Sequence, residues 1–439
     1  MSAPLSSAQP TVQHRRCRFC NMPLRVTFAN LGMSPFANAY LKPEQLYALE
    51  PFYPLQAFVC EHCLLAQLEA FESPDKIFNE EYAYFASYSD SWLQAAKNYV
   101  EMITGRFGLT AQHQVIEVAS NDGYLLRWFV EKGIPVLGVE PSAGVAKAAL
   151  AQGIPTRIQF FGEGTARQLA AEGQQADLII GNNVLAHVPN VNDFVAGLQL
   201  LLKPGGVLTM EFHHVLRLIE ENQFDTIYHE HFSYFSFTTA RKVFEQHGLA
   251  LFDVEEIPVT GGSLRIYGCH ADDPSRPIGP RVGALLAKEE AAGLTRLETY
   301  TAFSERVQAI KRNLLAFLID AKEQGKSLIG YGAAAKGNTL LNYCGVGTDF
   351  LDYVVDRSPY KQGLYLPGTH IPIVHPDRIR ETRPDYVLML PWNIKAEIME
   401  QLAYIGAWGG KFLALIPGVK IYDPVDRYAP VEAAVKVYP

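Results

Sequence analysis

Two short cysteine motifs constrain this chain more than anything else in it. Cys17-Arg-Phe-Cys20 and Cys60-Glu-His-Cys63 share one spacing and are separated by 39 residues. A CxxC turn aims two sulfurs at one point, and two such turns complete a tetrahedral four-sulfur shell, which suits Zn²⁺. Four protein ligands leave no open coordination position, so a structural metal is expected rather than a catalytic one. Two unrelated pairs or a redox pair would also account for the cysteines, but an identical repeated spacing favours the metal. His62, inside the second motif, is taken as a bystander. Residues 1–75 therefore read as a small zinc-binding lobe, with strand-like runs at 24–28 and 58–67.

Beyond this lobe the pattern changes to short apolar runs alternating with helical stretches, the signature of a parallel α/β sheet. Runs at 115–118, 136–139, 178–181 and 207–212 are expected strands of a central region, 76–275. The segment 272–282 mixes Pro, Gly and charge without periodicity and marks a boundary. Residues 276–439 begin with a long helical stretch over 284–324. A second βα series follows, with strands expected at 327–331, 353–356, 386–390 and 412–415. The fold class expected is α/β: a zinc-binding lobe, a central Rossmann-like domain, and a second Rossmann-like C-terminal domain.

At 439 residues with 48% hydrophobic side chains, the chain can bury the cores that such a division needs. A net charge of −8 argues against nucleic-acid polymers and anionic membranes as partners. No apolar run is long enough to span a bilayer, and the first 16 residues lack the apolar segment of a signal peptide. A cytoplasmic location is expected. The oligomeric state is left open, a monomer included.

The turn after the first strand of the central region reads Glu117-Val-Ala-Ser-Asn-Asp-Gly123. Ligands of parallel sheets bind at the carboxyl ends of strands, and Gly123 lets the backbone approach one closely. The turn is not GxGxxG, and Glu117 and Asp122 leave little room for a pyrophosphate, which speaks against NAD. Acidic groups suit the amino, ribose and sulfonium groups of S-adenosylmethionine. Glu140, ending the second strand, sits where a carboxylate takes ribose hydroxyls. Asn121, Asn182 and Asn183 join Glu117, Gly123 and Glu140 in the expected cofactor set.

Tyr228, His229, Glu230 and His231 stand in four consecutive positions, a poor strand or helix core and a good site. A histidine near neutral pKa can take a proton from carbon beside a ketone while a carboxylate or tyrosine orients it. A solvated loop or a second metal site using His214 and His229 are the competing readings. His187 follows a strand end near the cofactor loop, and Glu81–Asp90 is rich in phenols. In the last region, Gly330-Tyr-Gly-Ala-Ala-Ala-Lys-Gly-Asn338 is a strand, small-residue turn and helix start. This pattern can cradle phosphate, with Lys336 as a point charge.

Together the two CxxC pairs, EYAYFASYSDSW, EVASNDGYLL, GNNVLAHV, IYHEHFSYFS, GGSLRIYG and GYGAAAKGNTLLN resemble the zinc-containing sugar C-methyltransferases of deoxysugar biosynthesis, over nearly the whole chain. The resemblance implies methyl transfer from S-adenosylmethionine to the ring carbon beside the 4-keto group of a thymidine-diphosphate sugar. It implies His231 as general base, with Tyr82, His187, Tyr228 and Glu230 lining the keto-sugar site. Tyr331, Lys336 and Asn338 are the residues expected to hold the nucleotide sugar. One departure is Val259-Thr260 before Gly261-Gly262, where the family pattern has a histidine. An O- or N-methyltransferase of the same fold, or a non-catalytic zinc-containing binding protein, are the alternatives.

Overall fold

The computed structural model describes residues 15–78, 85–88, 90–424 and 430–431. Three sheets organise the mixed α/β chain. The first is antiparallel, with strands Val26–Ser34, Tyr53–Val59 and Ala66–Leu68. Its fourth strand, Ser233–Tyr234, comes from far along the chain and pairs Gln67 with Ser233 and Ala66 with Tyr234. The run at 58–67 is therefore not one strand: the second CxxC turn interrupts it, and Leu64 turns the chain with φ +62°.

The second sheet has seven strands. Val115–Val118 lies centrally and pairs in parallel with Val136–Val139 on one side and Ala176–Asn182 on the other. Thr156–Arg157 closes one edge, and Leu202–His213 continues the parallel order on the other. A hairpin of Leu249–Ile257 and Ser263–His270 completes the sheet, its second strand antiparallel to Leu202–His213. The central strand is wholly buried, which is why it reads as a continuous apolar run around Glu117. Helix Val191–Leu201 covers the sheet with Val191, Phe194, Val195, Leu198 and Leu201, spaced to share one face. The Asn190 side chain caps it by accepting from Asp193 N.

The third sheet runs 373–374, 354–355, 328–331, 386–389, 411–414, 420–422, 430–431, its first five strands parallel. The stretch 284–324 is not one helix. Pro280–Ala291, Leu297–Thr301 and Phe303–Glu323 are separate, and Gly293 breaks the run at φ +82°. The last helix packs back on the zinc lobe, where Phe303 stacks on Phe28 at 4.8 Å between centroids. One hydrophobic core thereby joins Phe28 and Leu55 of the first sheet, Leu218 and Phe224 of the central region, and Leu314 and Leu341 of the last.

Candidate active site

The two cysteine turns fold alike. Cys17 O accepts from Asn21 N at 2.9 Å and Cys60 O from Leu64 N at 2.9 Å, and both donor residues have positive φ. This matched geometry brings the ligand atoms of Cys17, Cys20, Cys60 and Cys63 within 4.8 Å of one another. Cys17–Cys63 and Cys20–Cys60 sulfurs are 3.5 Å apart. A tetrahedron with Zn–S bonds of about 2.3 Å has sulfur edges of roughly 3.8 Å, so the cluster fits Zn²⁺. Gln67 Nε2 donates to Cys17 Sγ at 3.2 Å, the kind of outer contact that orients a ligand. Among the described residues this is the one grouping able to hold a metal. His214 instead pairs with buried Glu289 at 2.7 Å, and His229 packs against the rings of Phe36, Tyr53 and Phe71, so the second-metal reading falls.

At the carboxyl end of the second sheet, the turn after Val118 runs through Ala119 and Asn121 at positive φ, then Gly123 at +77°. Asn121 N donates to Glu140 Oε2 at 3.0 Å and Ser142 N to Glu140 Oε1 at 2.8 Å, so Glu140 fixes the turn against the neighbouring strand. Asn121 Oδ1 accepts from Ala86 N and Asp122 Oδ2 from Ser87 N, anchoring residues 85–88 over the turn. Glu117 is fully buried, and neither of its carboxylate oxygens has a hydrogen-bond partner. Burial, then the charges of Glu140, Asp122 and Glu211, push its pKa well above the usual carboxylate range. Asp122 Oδ1 and Asn182 Oδ1 are likewise buried and unpartnered. Buried acceptors without partners suit donors and positive charge of the kind that the amino group, ribose and sulfonium of S-adenosylmethionine carry. Asn183 turns the chain just beyond, at φ +54°, its N donating to Glu211 O.

The Tyr-His-Glu-His run splits in two directions. His231 N donates to Tyr228 O at 2.8 Å, and this tight turn stacks the two rings at 3.9 Å between centroids. His231 Nδ1 lies 2.8 Å from Thr226 O, which can only accept, so Nδ1 carries the proton. Nε2 is then the acceptor from Tyr228 OH at 2.7 Å. Burial, then His187, holds the His231 pKa well below the ordinary value. The His187 ring is 4.7 Å from His231, and burial pushes its pKa down to about 4. Glu230 points away, accepting twice from Asn38 Nδ2 at 2.9 and 3.0 Å, with burial raising its pKa to about 7. Tyr82 lies outside the described residues.

The last region contributes Lys336, whose Nζ donates to Thr260 O at 3.2 Å and sits 4.8 Å above the Trp392 ring. Trp392 in turn donates to Asp225 Oδ2 at 2.6 Å. Burial lowers the Lys336 pKa, with Asp225 opposing the shift, and its charge reaches both His231 and His213. Asn338 Nδ2 is committed to Ala37 O. Tyr331 faces another cavity of about 360 Å³, with Arg357, His375, Arg380 and Gln401, and its OH donates to Gln401. The chain thus brings Tyr228, His231, His187 and Lys336 together and sends Glu230, Asn338 and Tyr331 elsewhere. Sequence reasoning passed over Asp356, which accepts from Ala333 N at 2.7 Å and braces the small-residue turn. Its signal was legible: it ends a strand in the last series as Glu140 does in the first.

Comparison with known proteins accounts for all three regions. Residues 17–78 match a family model described as a zinc binding domain, 89–254 a methyltransferase domain, and 258–417 a C-methyltransferase C-terminal domain. The C-methyltransferase NovU of Streptomyces niveus is 33% identical over 92% of this chain and 96% of its own. A ubiquinone biosynthesis O-methyltransferase of Rhizobium etli is 28% identical over 22% of this chain and 39% of its own. The structure of magnesium protoporphyrin IX methyltransferase from Synechocystis PCC 6803 with bound SAH covers 40% of this chain and 82% of that one, at 15% identity and TM-score 0.32. The match over 92% of the chain is to a C-methyltransferase, which sets aside the non-catalytic reading. The zinc-binding and methyltransferase family models, with the four-cysteine cluster, give zinc and S-adenosylmethionine as the cofactors. This chain belongs to the family of zinc-binding, S-adenosylmethionine-dependent C-methyltransferases.

Proposed function

We propose that the chain methylates the ring carbon beside the ketone of a nucleotide-linked 4-keto-deoxysugar, with thymidine diphosphate as the nucleotide. The observation that carries this is His231: a neutral imidazole with one fixed tautomer, its basic Nε2 held beside Tyr228 OH. Methylation of a heteroatom does not require such a base, whereas carbon must first lose a proton. Glu117, Asn121, Gly123, Glu140, Asn182 and Asn183 would hold S-adenosylmethionine, which would supply an electrophilic methyl group. His231 Nε2 takes the proton from the carbon beside the ketone, and the C–H electron pair moves into an enolate. The enolate carbon that His231 leaves behind would be the nucleophile for that methyl group.

His187, whose ring lies 4.7 Å from that of His231, is suited to donate to the ketone or enolate oxygen, and Tyr228 is free to do so once its O–H leaves His231 Nε2 to the substrate proton. Tyr82 remains a candidate for the same wall, whereas Glu230, turned onto Asn38, supports the loop from behind. Lys336, whose charge acts on His231, favours the developing negative charge, while Tyr331 and Asn338 belong to the lobe that receives the nucleotide. The division into 1–75, 76–275 and 276–439, with deoxysugar and antibiotic biosynthesis in the cytoplasm as the setting, is part of the same reading. Incubation with methyl-labelled S-adenosylmethionine and a panel of keto-sugar nucleotides tests it. The expected product carries label on a ring carbon that has lost its hydrogen; label on oxygen or nitrogen would favour heteroatom methylation.

A further inference from the structure

The zinc lobe reaches the two histidine loops through a residue that stands between metal ligands. Arg18 occupies the first position inside the Cys17–Cys20 turn. Its Nη1 donates to Pro189 O at 2.8 Å, two residues beyond His187, and its Nη2 donates to Leu68 O. The guanidinium lies 5.4 Å from the centroid of Phe232, the residue directly after His231. Arg18 N donates to Gln67 Oε1 at 2.9 Å, and the same Gln67 side chain donates to Cys17 Sγ. Leu68 N donates to Phe232 O at 3.0 Å, and Gln67 pairs with Ser233. Asn192 Nδ2 holds the carbonyls of Arg18 and Phe19 from the His187 side.

We propose that Arg18 is a positioning residue for methyl transfer, clamping the His187 and His231 loops to each other and to the metal-bearing turn. A zinc site needed only to close its own lobe has no use for a fork that leaves the lobe and ends on the backbone beside His187. A planar guanidinium can bond two carbonyls and stack on Phe232 at once; an ammonium cannot reproduce that fork. The inference rests on His231 and His187 being the residues that meet the substrate. The clamp fixes their separation, and a displacement near 1 Å in such a pair can slow chemistry by about 10²-fold.

The test compares zinc-loaded full-length wild type, Arg18→Lys, Arg18→Ala and His231→Ala. Four quantities are measured: zinc content, S-adenosylmethionine affinity, ¹⁵N spectra of the histidine rings, and kcat and KM with a thymidine-diphosphate 4-keto-deoxysugar. Arg18→Lys should keep one zinc per chain and wild-type cofactor affinity, while kcat falls roughly 10–100-fold with KM little changed. The ¹⁵N signals of His187 and His231 should shift in the substrate-free protein, and those of Glu289-paired His214 should not. Unmoved ring signals or an unchanged kcat in Arg18→Lys would overturn the proposal. If Arg18→Ala loses zinc, Arg18→Lys decides; zinc loss in both assigns Arg18 to the fold of the turn alone and also overturns it. A wild type inactive on the keto sugar, or a His231→Ala variant at full activity, counts against the proposed function, and the ring spectra still judge Arg18.

Discussion

His231 and Glu230 are adjacent in sequence, yet they meet different chemistry. His231 is fixed on both nitrogens by Thr226 O and Tyr228 OH, while Glu230 is turned onto Asn38 of the zinc lobe. The residue types alone marked the cluster as a candidate site. Which members face one another was not legible from them, because a turn joins residues three apart and sends the intervening pair to the opposite side: His229 into an aromatic pocket, Glu230 onto the Asn38 amide. In the proposed reaction His231 works deprotonated, and its pKa is held below the ordinary 6.5 mainly by burial. The working form is therefore complete above that value and is lost only as pH falls through the depressed folded pKa. We expect kcat to stay level down through pH 6.5, checked by a pH–rate profile; an acid limb centred at 6.5 would mean that the ring is not buried in the working enzyme. Glu140 makes a second residue-scale prediction. Its carboxylate holds the Asn121 and Ser142 amides, so Glu140→Ala should weaken cofactor binding by about 1.5–3 kcal/mol, read by calorimetry.

Elements differ in how plainly they announce themselves. The buried parallel strands around Val115–Val118 and Leu328–Tyr331 read directly as apolar runs, because neither face meets water. The hairpin Leu249–Ile257 and Ser263–His270 did not, since Asp253, Glu255 and Arg265 interrupt its apolar pattern. Those charges are satisfied in place: Arg265 pairs with Glu211 and Glu255, and Arg106 and Arg281 with Asp253. In the turn proposed to hold the cofactor, the geometry at Gly123 shows why the residue there is glycine. At φ +77° a side chain is strained, and a Cβ would overlap Ile154 Cδ1. Gly123→Ala should cost about 1–3 kcal/mol and weaken cofactor binding as the turn is displaced, measured by denaturant unfolding and calorimetry. Wild-type affinity in a stable variant would show that the turn tolerates the shift.

At the scale of the whole molecule, the sequence order of the regions hides how they interlock. The first sheet takes its last strand from Ser233–Tyr234, and Lys336 crosses to Thr260 while Asn338 reaches Ala37. No local pattern reports such pairings, because each partner alone is an ordinary polar loop residue. The metal sits at the start of this arrangement, and removing a ligand should act first on folding. Cys60→Ser should lower zinc content below one per chain and reduce thermal stability, by metal analysis and a melting curve. Zinc-free wild type with four free thiols and an unchanged melting curve would contradict that role. In the proposed reaction the interlocked lobes present His231 to a carbon acid. Its most direct measurement is exchange of one sugar proton with deuterated water in the presence of a non-transferring cofactor analogue, followed by NMR on a thymidine-diphosphate 4-keto-deoxysugar. Exchange is expected at the carbon beside the ketone in the wild type, at a rate roughly 10²–10⁴-fold lower in His231→Ala with both ligands still bound. Exchange at the wild-type rate in His231→Ala, or in neither protein, would contradict the proposed reaction.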